Sequence, residues 1–581
     1  MSTHLPSKKS SSHGGVRGAD FNRRSSQAEG KFGRMFRSLP AATWSPDALG
    51  KLAGNGNEKD SMSTIPETDK DNPRLPVAPV EEPQATRLHD EEENSGIDAG
   101  YTYFGQFIDH DLTFDPASSL QKQNDVDALV DFRTPAFDLD SLYGGGPEDQ
   151  PYMYQAKGRK FQLGRELSPE INGRKLYDLP RHTWTDEDGT HHRALIGDKR
   201  NDENVIVSQL HGVFLRFHNR LADDNPDWSF AKIQRRVRWH YQYVVLNDFL
   251  LKITDPGVYE DVLPHLKTGC VRSIFDHPPR LHFYKPRNEA FMPIEFAAAA
   301  YRFGHSMVRP IYRLNTLLTG GNADGVTKDQ TNPNELTRGI DGRQFIFAGL
   351  KQRGLNGFDE FPKEWGIDWN LFFDLTNDKE TRKEKNRTQP AYKIDASLVN
   401  PLAFLPEFSP KPTQSPLDDV KQLQPAPEKG QLNNLALRNL LRGMSMGLPS
   451  GQAVARAMGY EPLTDEELKV GKATNEAEYD KLPTLAGIDP EFIGKAPLWY
   501  YVLAEAAHDW RKRSAKESSA KKLDVPVCLG KVGSRIVLET FVGLLLQDSH
   551  SFLRQAPNWT PTIGKQKDFD MPDLINYALT P

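Results

Sequence analysis

The stretch Tyr103–Asp115, "YFGQFIDHDLTFD", sets Asp109, His110 and Asp111 side by side, with Gln106 four residues before the histidine. An imidazole between carboxylates can move a proton near neutral pH, and a neighbouring amide can orient water or a small anion. Three more stretches offer it partners. "IGDKRNDEN" spaces Arg200 and Glu203 three apart. "EFAAAAYRFGHSMVRP" carries His305 behind Gly304, whose missing side chain lets a flat group approach the backbone. "NNLALRNLLRGMSMGLP" offers Asn439, with Arg442 one turn on. Taken singly, each stretch has a plain structural explanation: a charged helix start, a surface ion pair, a core histidine, a polar residue on a helix.

Helical spacing decides which of these groups can share a pocket. On a helix, Gln106 and His110 lie on one face and Asp109 borders it. Asp111 is turned from His110 by about 100° and must serve something else. In "VIVSQLHGVFLRFHNRLA" the residues Leu210, Val213, Phe214, Phe217 and Leu221 recur on one face, which predicts a helix over 205–222. The same period resumes at Ser229. A further helix is expected from Pro293 to just before Pro310, around a run of alanines, the best helix former. In "LNNLALRNLLR" Leu432, Leu435, Ala436 and Asn439 share a face. Strand-like alternation is scarce, so the fold class is mainly α. The expected organisation is a disordered basic tail (1–29), an extended arm and loops packing on the body (30–95), and one large helical domain with few short strands (96–581). "GKFGRMF" forms the docking part of the arm.

Composition removes whole classes of function. The chain has 581 residues, 37% hydrophobic and 26% charged, with a net charge of −6. A pI near 6.3 gives no general attraction to nucleic acid. The two cysteines, Cys270 and Cys528, lie far apart and outside any CxxC pattern. That excludes a disulfide scaffold, a thiolate zinc site and c-type haem attachment. No apolar run reaches bilayer length, so no membrane span is expected. The basic, Ser/Gly-rich start has no apolar core, so we expect no signal peptide and a cytoplasmic protein or leaderless export.

Together, and in this order, "GQFIDHD", "RNDE" followed by "LHGVFLRFHNRLA", "YRFGH" and "NLLRGMSMGLP" resemble the animal-type haem peroxidases of the peroxidase–cyclooxygenase superfamily. The resemblance runs from about Tyr101 to the C-terminus. It implies haem b, with His305 as proximal iron ligand and Asn439 as the acceptor for the imidazole's other nitrogen. It implies His110 as general base towards peroxide, Arg200 as the positive charge that assists O–O cleavage, and Gln106 as the amide orienting water or halide. Arg302 and Arg442 fall beside the cofactor. Asp109 and Glu203 match positions that form ester links to haem in the family. Asn204 stands where the myeloperoxidase branch has methionine, so a third, sulfonium link is excluded. The implied partners are hydrogen peroxide and small anionic or aromatic donors: iodide, thiocyanate, bromide at the margin, and phenols, with chloride poor.

The resemblance also implies calcium. In "RTPAFDLDSLYGGG" Thr134, Ala136, Asp138 and Asp140 alternate, so an extended loop could turn them, with Asp111, towards one cation; such hard oxygen donors suit Ca²⁺. An acidic turn explains the loop alone equally well, and an EF-hand fails because Tyr143 stands where glycine is needed. Two rival functions are weighed. "GMSMG" fits the G-x-S-x-G elbow of serine hydrolases, but an elbow needs a preceding strand and the residues before it have helical spacing. A fatty-acid dioxygenase of the same superfamily would relay a radical through a tyrosine three residues before the proximal histidine. Arg302 stands there, and Tyr301 is four before.

Overall fold

The computed structural model describes residues 30–54, 61–63, 68–69, 72–76, 94–113, 130–131, 134–187, 189–266, 273–286, 289–315, 343–346, 355, 357–376, 388–399, 402, 434–473, 476–516, 525–564 and 568–580. The tail before residue 30, Cys270 and Leu432 lie outside them. The fold is mainly α, with short strands at its margins.

The helix Gly100–Leu112 carries the histidine of the opening stretch. It begins at a glycine because nothing larger fits: a Cβ on Gly100 would stand 2.3 Å from the Phe373 ring. Phe104 and Phe107, one turn apart, face inward, and Phe107 stacks on Phe214 with ring centroids 4.6 Å apart. Tyr241 meets both phenylalanines edge-on. These rings pin the 100–112 helix to the helices Val205–Asp224 and Phe230–Val244. Burying such aromatics contributes about 1.5–3 kcal/mol each, so the face carrying Gln106 and His110 is held by the face behind it. Leu210, Val213, Phe214, Phe217 and Leu221 are all buried.

The stretch from Pro293 is not one continuous helix. A single turn, Ile294–Ala297, is followed by Ala299 in a non-helical conformation and a 3₁₀ helix, Ala300–His305. Arg302 supplies the reason: its Nε donates to the Ala297 carbonyl at 2.9 Å, and that carbonyl is lost to a helical backbone partner. Side-chain competition overrides the alanine run. The helix Leu498–Ser514 supports this segment, with Trp499 Nε1 donating to the Arg302 carbonyl at 3.2 Å.

Two hairpins add strand where alternation looked weak. Glu166–Ile171 pairs with Arg174–Tyr177 and Arg181–Asp186 with Gly189–Ala194, both antiparallel. Asn172 and Gly173 turn the first hairpin with φ of 53° and 71°, values that Asn-Gly adopts readily. Gly30–Gly33 pairs in parallel with Met292–Pro293 and antiparallel with Val130–Asp131. Beyond it, Arg34 donates to the carbonyls of Gly447 and Met446 at 2.7 and 3.0 Å. The buried Glu295 carboxylate accepts from the Met35 and Phe36 N–H groups at 3.0 Å each.

Candidate functional site

His110 lies buried on the 100–112 helix, with Nδ1 2.8 Å from Asn201 Oδ1. A carbonyl oxygen can only accept, so Nδ1 carries the proton and Nε2 is bare. Asn201 Nδ2 in turn reaches His211 Nδ1 at 3.0 Å. Burial, followed by the Arg200 charge, lowers the His110 pKa to about 4, so the imidazole is neutral and basic at neutral pH. Sequence reasoning missed Asn201. Its role depends on a 3₁₀ turn, Lys199–Asp202, folding beneath the following helix.

Glu203 stands beside the base, its Oε1 3.9 Å from His110 Nε2. Gln106 Nε2 donates to the same carboxylate, and Asn204 Nδ2 donates to Gln106 Oε1 at 3.1 Å. Asn204 has a second duty as helix N-cap, its Oδ1 accepting from Ile206 and Val207 N–H at 3.1 and 2.9 Å. Arg200 spreads its guanidinium over the end of the 100–112 helix, donating to the carbonyls of His110 and Thr113 at 3.0 and 2.7 Å. Asp198 holds it at 2.8 Å. A cation at this helix C-terminus is favourable and lies close enough to His110 to depress its protonation. Asp109 is half-buried and accepts from Thr113 Oγ1 at 3.1 Å.

His305 ends the 3₁₀ helix, its ring 6.5 Å from that of Trp499. Burial and the nearby Arg302 push its pKa down to about 3, leaving a neutral imidazole. Asn439 meets Nδ1 at 2.8 Å, but with its amide nitrogen, where sequence reasoning expected an acceptor. Arg302 sets that direction by donating from Nη1 to Asn439 Oδ1 at 3.2 Å. Tyr301 is buried and donates to the Gly105 carbonyl at 3.1 Å, joining the two histidine-bearing elements.

The surroundings of His305 suit an iron porphyrin. A Cβ on Gly304 would meet no atom within 4 Å, so the chain leaves open space there. Arg302, Arg438 and Arg442 lie within electrostatic reach of one another, a cation cluster that would attract carboxylates of a cofactor. Arg438 was missed by sequence reasoning, although it lies one residue before Asn439.

On the other side of the 100–112 helix, Asp111, Asp138 and Asp140 bring carboxylate oxygens within 4.8 Å of one another. Asp111 and Asp140 are fully buried. Burial raises the pKa of Asp138, so three converging carboxylates cost free energy unless a cation joins them. Thr134 Oγ1 donates to Asp138 at 2.8 Å, and Ala136 contributes a turn hydrogen bond to the Thr134 carbonyl. Leu139, at φ 56°, points its N–H to Asp111 at 3.2 Å. A Cβ on Gly197 would stand 2.4 Å from the Ser141 carbonyl, so this loop touches the backbone next to Asp198. Ser445 ends the helix Leu435–Ser445 and donates to the Arg442 carbonyl, which is no nucleophile elbow.

A neutral imidazole with a bare Nε2 on one element and a second neutral imidazole on the other are the pair that a peroxidase-type site would call for. The family profile described as animal haem peroxidase matches residues 121–353 of this chain. Heme peroxidase 2 of Caenorhabditis elegans is 23% identical over 354 residues, 50% of this chain and 44% of that protein. The chorion peroxidase of Aedes aegypti is 27% identical over 195 residues, 32% of this chain and 23% of that one. The chain thus spans less than half the length of these relatives. Peroxidase A from Dictyostelium discoideum superposes over 93% of this chain and 99% of its own, with a TM-score of 0.47 at 14% identity.

Proposed function

We propose that this chain is a haem-dependent peroxidase that uses hydrogen peroxide to oxidise iodide, thiocyanate, bromide at the margin, and small phenols. The observation that carries the reading is the Asn201–His110 bond, which holds the imidazole with its basic Nε2 beside Glu203. His305 would hold haem b, with Arg302, Asn439 and Arg442 around it. The bound iron supplies the redox chemistry that peroxide cleavage requires.

The chain's own residues do the rest. His110 takes a proton at Nε2 from the near oxygen of peroxide and returns it to the departing oxygen, which leaves as water. Such positioned proton transfer is worth about 10²–10⁴-fold. Arg200, fixed by Asp198, keeps positive potential over the developing negative charge. Gln106, held at its carbonyl by Asn204 and at its amide nitrogen by Glu203, orients water or a halide beside His110. Tyr301 spends its hydroxyl on the Gly105 carbonyl, which favours peroxidase over dioxygenase chemistry.

Asp109 and Glu203 are the candidates for ester attachment of haem, two links at most because Asn204 cannot form a sulfonium. Without that electron-withdrawing link the iron is less oxidising, hence the poor oxidation of chloride. The test is an absorption spectrum on adding peroxide, then turnover with iodide, thiocyanate, bromide, chloride and a phenol. Efficient chloride oxidation, or no haem uptake by the purified chain, would overturn the proposal.

A further inference from the structure

A cavity lies apart from the two histidines. It is bounded by the chain after the strand Pro390–Tyr392, by the segment around Lys469, and by the far end of the 498–514 helix. Trp499 touches the His305 side of that helix, and Trp510 lines the cavity eleven residues on, about 16 Å along the axis at 1.5 Å per residue. The enclosed part of the cavity measures about 40 Å³, more than a single water needs, and the rest of the space opens to solvent.

Its lining is uneven in charge. Lys393 is only 8% exposed, lines the cavity, and has no carboxylate within salt-bridge distance among the described residues. Its ammonium instead lies over the Trp510 ring, 4.7 Å from the centroid. Lys469 lines the same space with Nζ on the Leu482 carbonyl at 3.1 Å. Arg511 lies over the Tyr479 ring, 3.6 Å from its centroid, and pairs with Asp480 at 3.4 Å outside the lining. Against these three cations the lining holds one carboxylate, Asp395, already satisfied by Ser397 N–H and Oγ at 2.9 and 2.6 Å. Burial moves the Asp395 pKa up, against the pull of its Ser397 hydrogen bonds and of the Lys393 and Lys472 charges. A nearly buried ammonium without a hydrogen-bond acceptor is costly, and a ligand anion would supply one. The rings of Trp510 and Tyr479, with Ala396, Ala504 and Val527, make the remaining wall apolar.

We propose that this cavity binds a small aromatic anion, an aryl carboxylate or a phenolate, with its charge on Lys393 and its ring between Trp510 and Tyr479. Charge alone would suit phosphate and the rings alone would suit a neutral arene; the two together select a molecule carrying both.

The probe is benzoate, titrated calorimetrically into the haem-loaded protein with its iron capped by cyanide, so that binding beside the haem iron is suppressed. Benzyl alcohol and inorganic phosphate are the controls. Benzoate is expected to bind at least tenfold more tightly than either, and to weaken as ionic strength rises. Lys393→Met should lose at least tenfold in benzoate affinity, while Lys393→Arg, which keeps the charge, should retain most of it. In 5-fluorotryptophan-labelled protein, benzoate should shift the resonance assigned to Trp510; this readout needs no variant at Lys393. Equal binding of benzyl alcohol or phosphate, undiminished affinity in Lys393→Met, or an unmoved Trp510 resonance would each overturn the proposal.

Discussion

His110 and His305 each bring Nδ1 to 2.8 Å from an asparagine, yet the two asparagines present opposite ends. Asn201 offers its carbonyl, with its amide nitrogen towards His211. Asn439 offers its amide nitrogen, because Arg302 takes the carbonyl. The first arrangement leaves Nε2 bare, as a base requires. The second places the proton on Nε2, and a metal there needs the reverse. Turning the Asn439 amide corrects this once Arg302 finds another acceptor, such as a cofactor carboxylate. On the proposed roles, His110 would already stand in its working tautomer, whereas His305 would reach its own only on loading. In each case a third residue, His211 or Arg302, meets the other end of the amide, and Arg302, which can only donate, decides what Asn439 can do.

The largest effect is expected at the ligand. His305→Ala should abolish stable haem uptake, seen as loss of the Soret band after gel filtration, while His110→Ala should keep it. A wild-type spectrum in His305→Ala would remove the distinction between the two histidines.

The next effect belongs to the base. His110→Ala should slow the peroxide-dependent change of the Soret band, followed by stopped flow, by about 10²–10⁴-fold. Because the His110 pKa is lowered to about 4, Nε2 stays unprotonated from pH 7 down to that value. The wild-type rate should be level over that window and fall only as pH drops through about 4. A fall already centred near pH 6.5 would mean that His110 is not the buried, amide-held group described here.

The two sides differ in how much could be read from sequence. Gln106 and His110 share a helix face, and spacing alone reveals it. The turn that brings up Asn201 does not announce itself, because "RND" reads as surface polarity until the 205–224 helix folds over it and buries His211. On the His305 side the alanine run suggested a straight helix, and only the Arg302–Ala297 bond explains its failure. The Asn172-Gly173 pair is a turn signal legible in the sequence, and it closes the hairpin of Glu166–Ile171 with Arg174–Tyr177. The direction of the Asn439 amide could not be read at all, since it depends on a residue 137 positions away.

A smaller effect should come from the asparagines themselves. Asn439→Leu should speed haem transfer to an acceptor globin by about 10–100-fold, the usual cost of losing the partner of a ligating imidazole. Asn439→Asp, an acceptor at both oxygens, should hold haem as well as the wild type. Asn201→Leu should leave haem retention unchanged and slow the peroxide step by less than His110→Ala does. Asn201→Asp keeps the acceptor for His110 and should restore most of that rate. If Asn201→Leu instead released haem, the two asparagines would not be serving separate histidines.

The smallest effect concerns the cation loop, and it should again divide the sides. Asp111 stands on the 100–112 helix and the loop presses on Gly197, next to the Asp198 that holds Arg200. The His305 segment rests on the 498–514 helix instead. A bound Ca²⁺ at a hundred times its Kd would stabilise the fold by about 2.7 kcal/mol. Chelation should therefore lower the melting temperature, and Asp138→Ala should lower it without further response to chelator. Because the strain of three close carboxylates is relieved through Asp111 and Gly197, chelation should also slow the peroxide step while leaving the rate of haem transfer to a globin unchanged. Haem loss that accelerates as much as the peroxide step slows would show that the cation supports the whole body and not the His110 side alone.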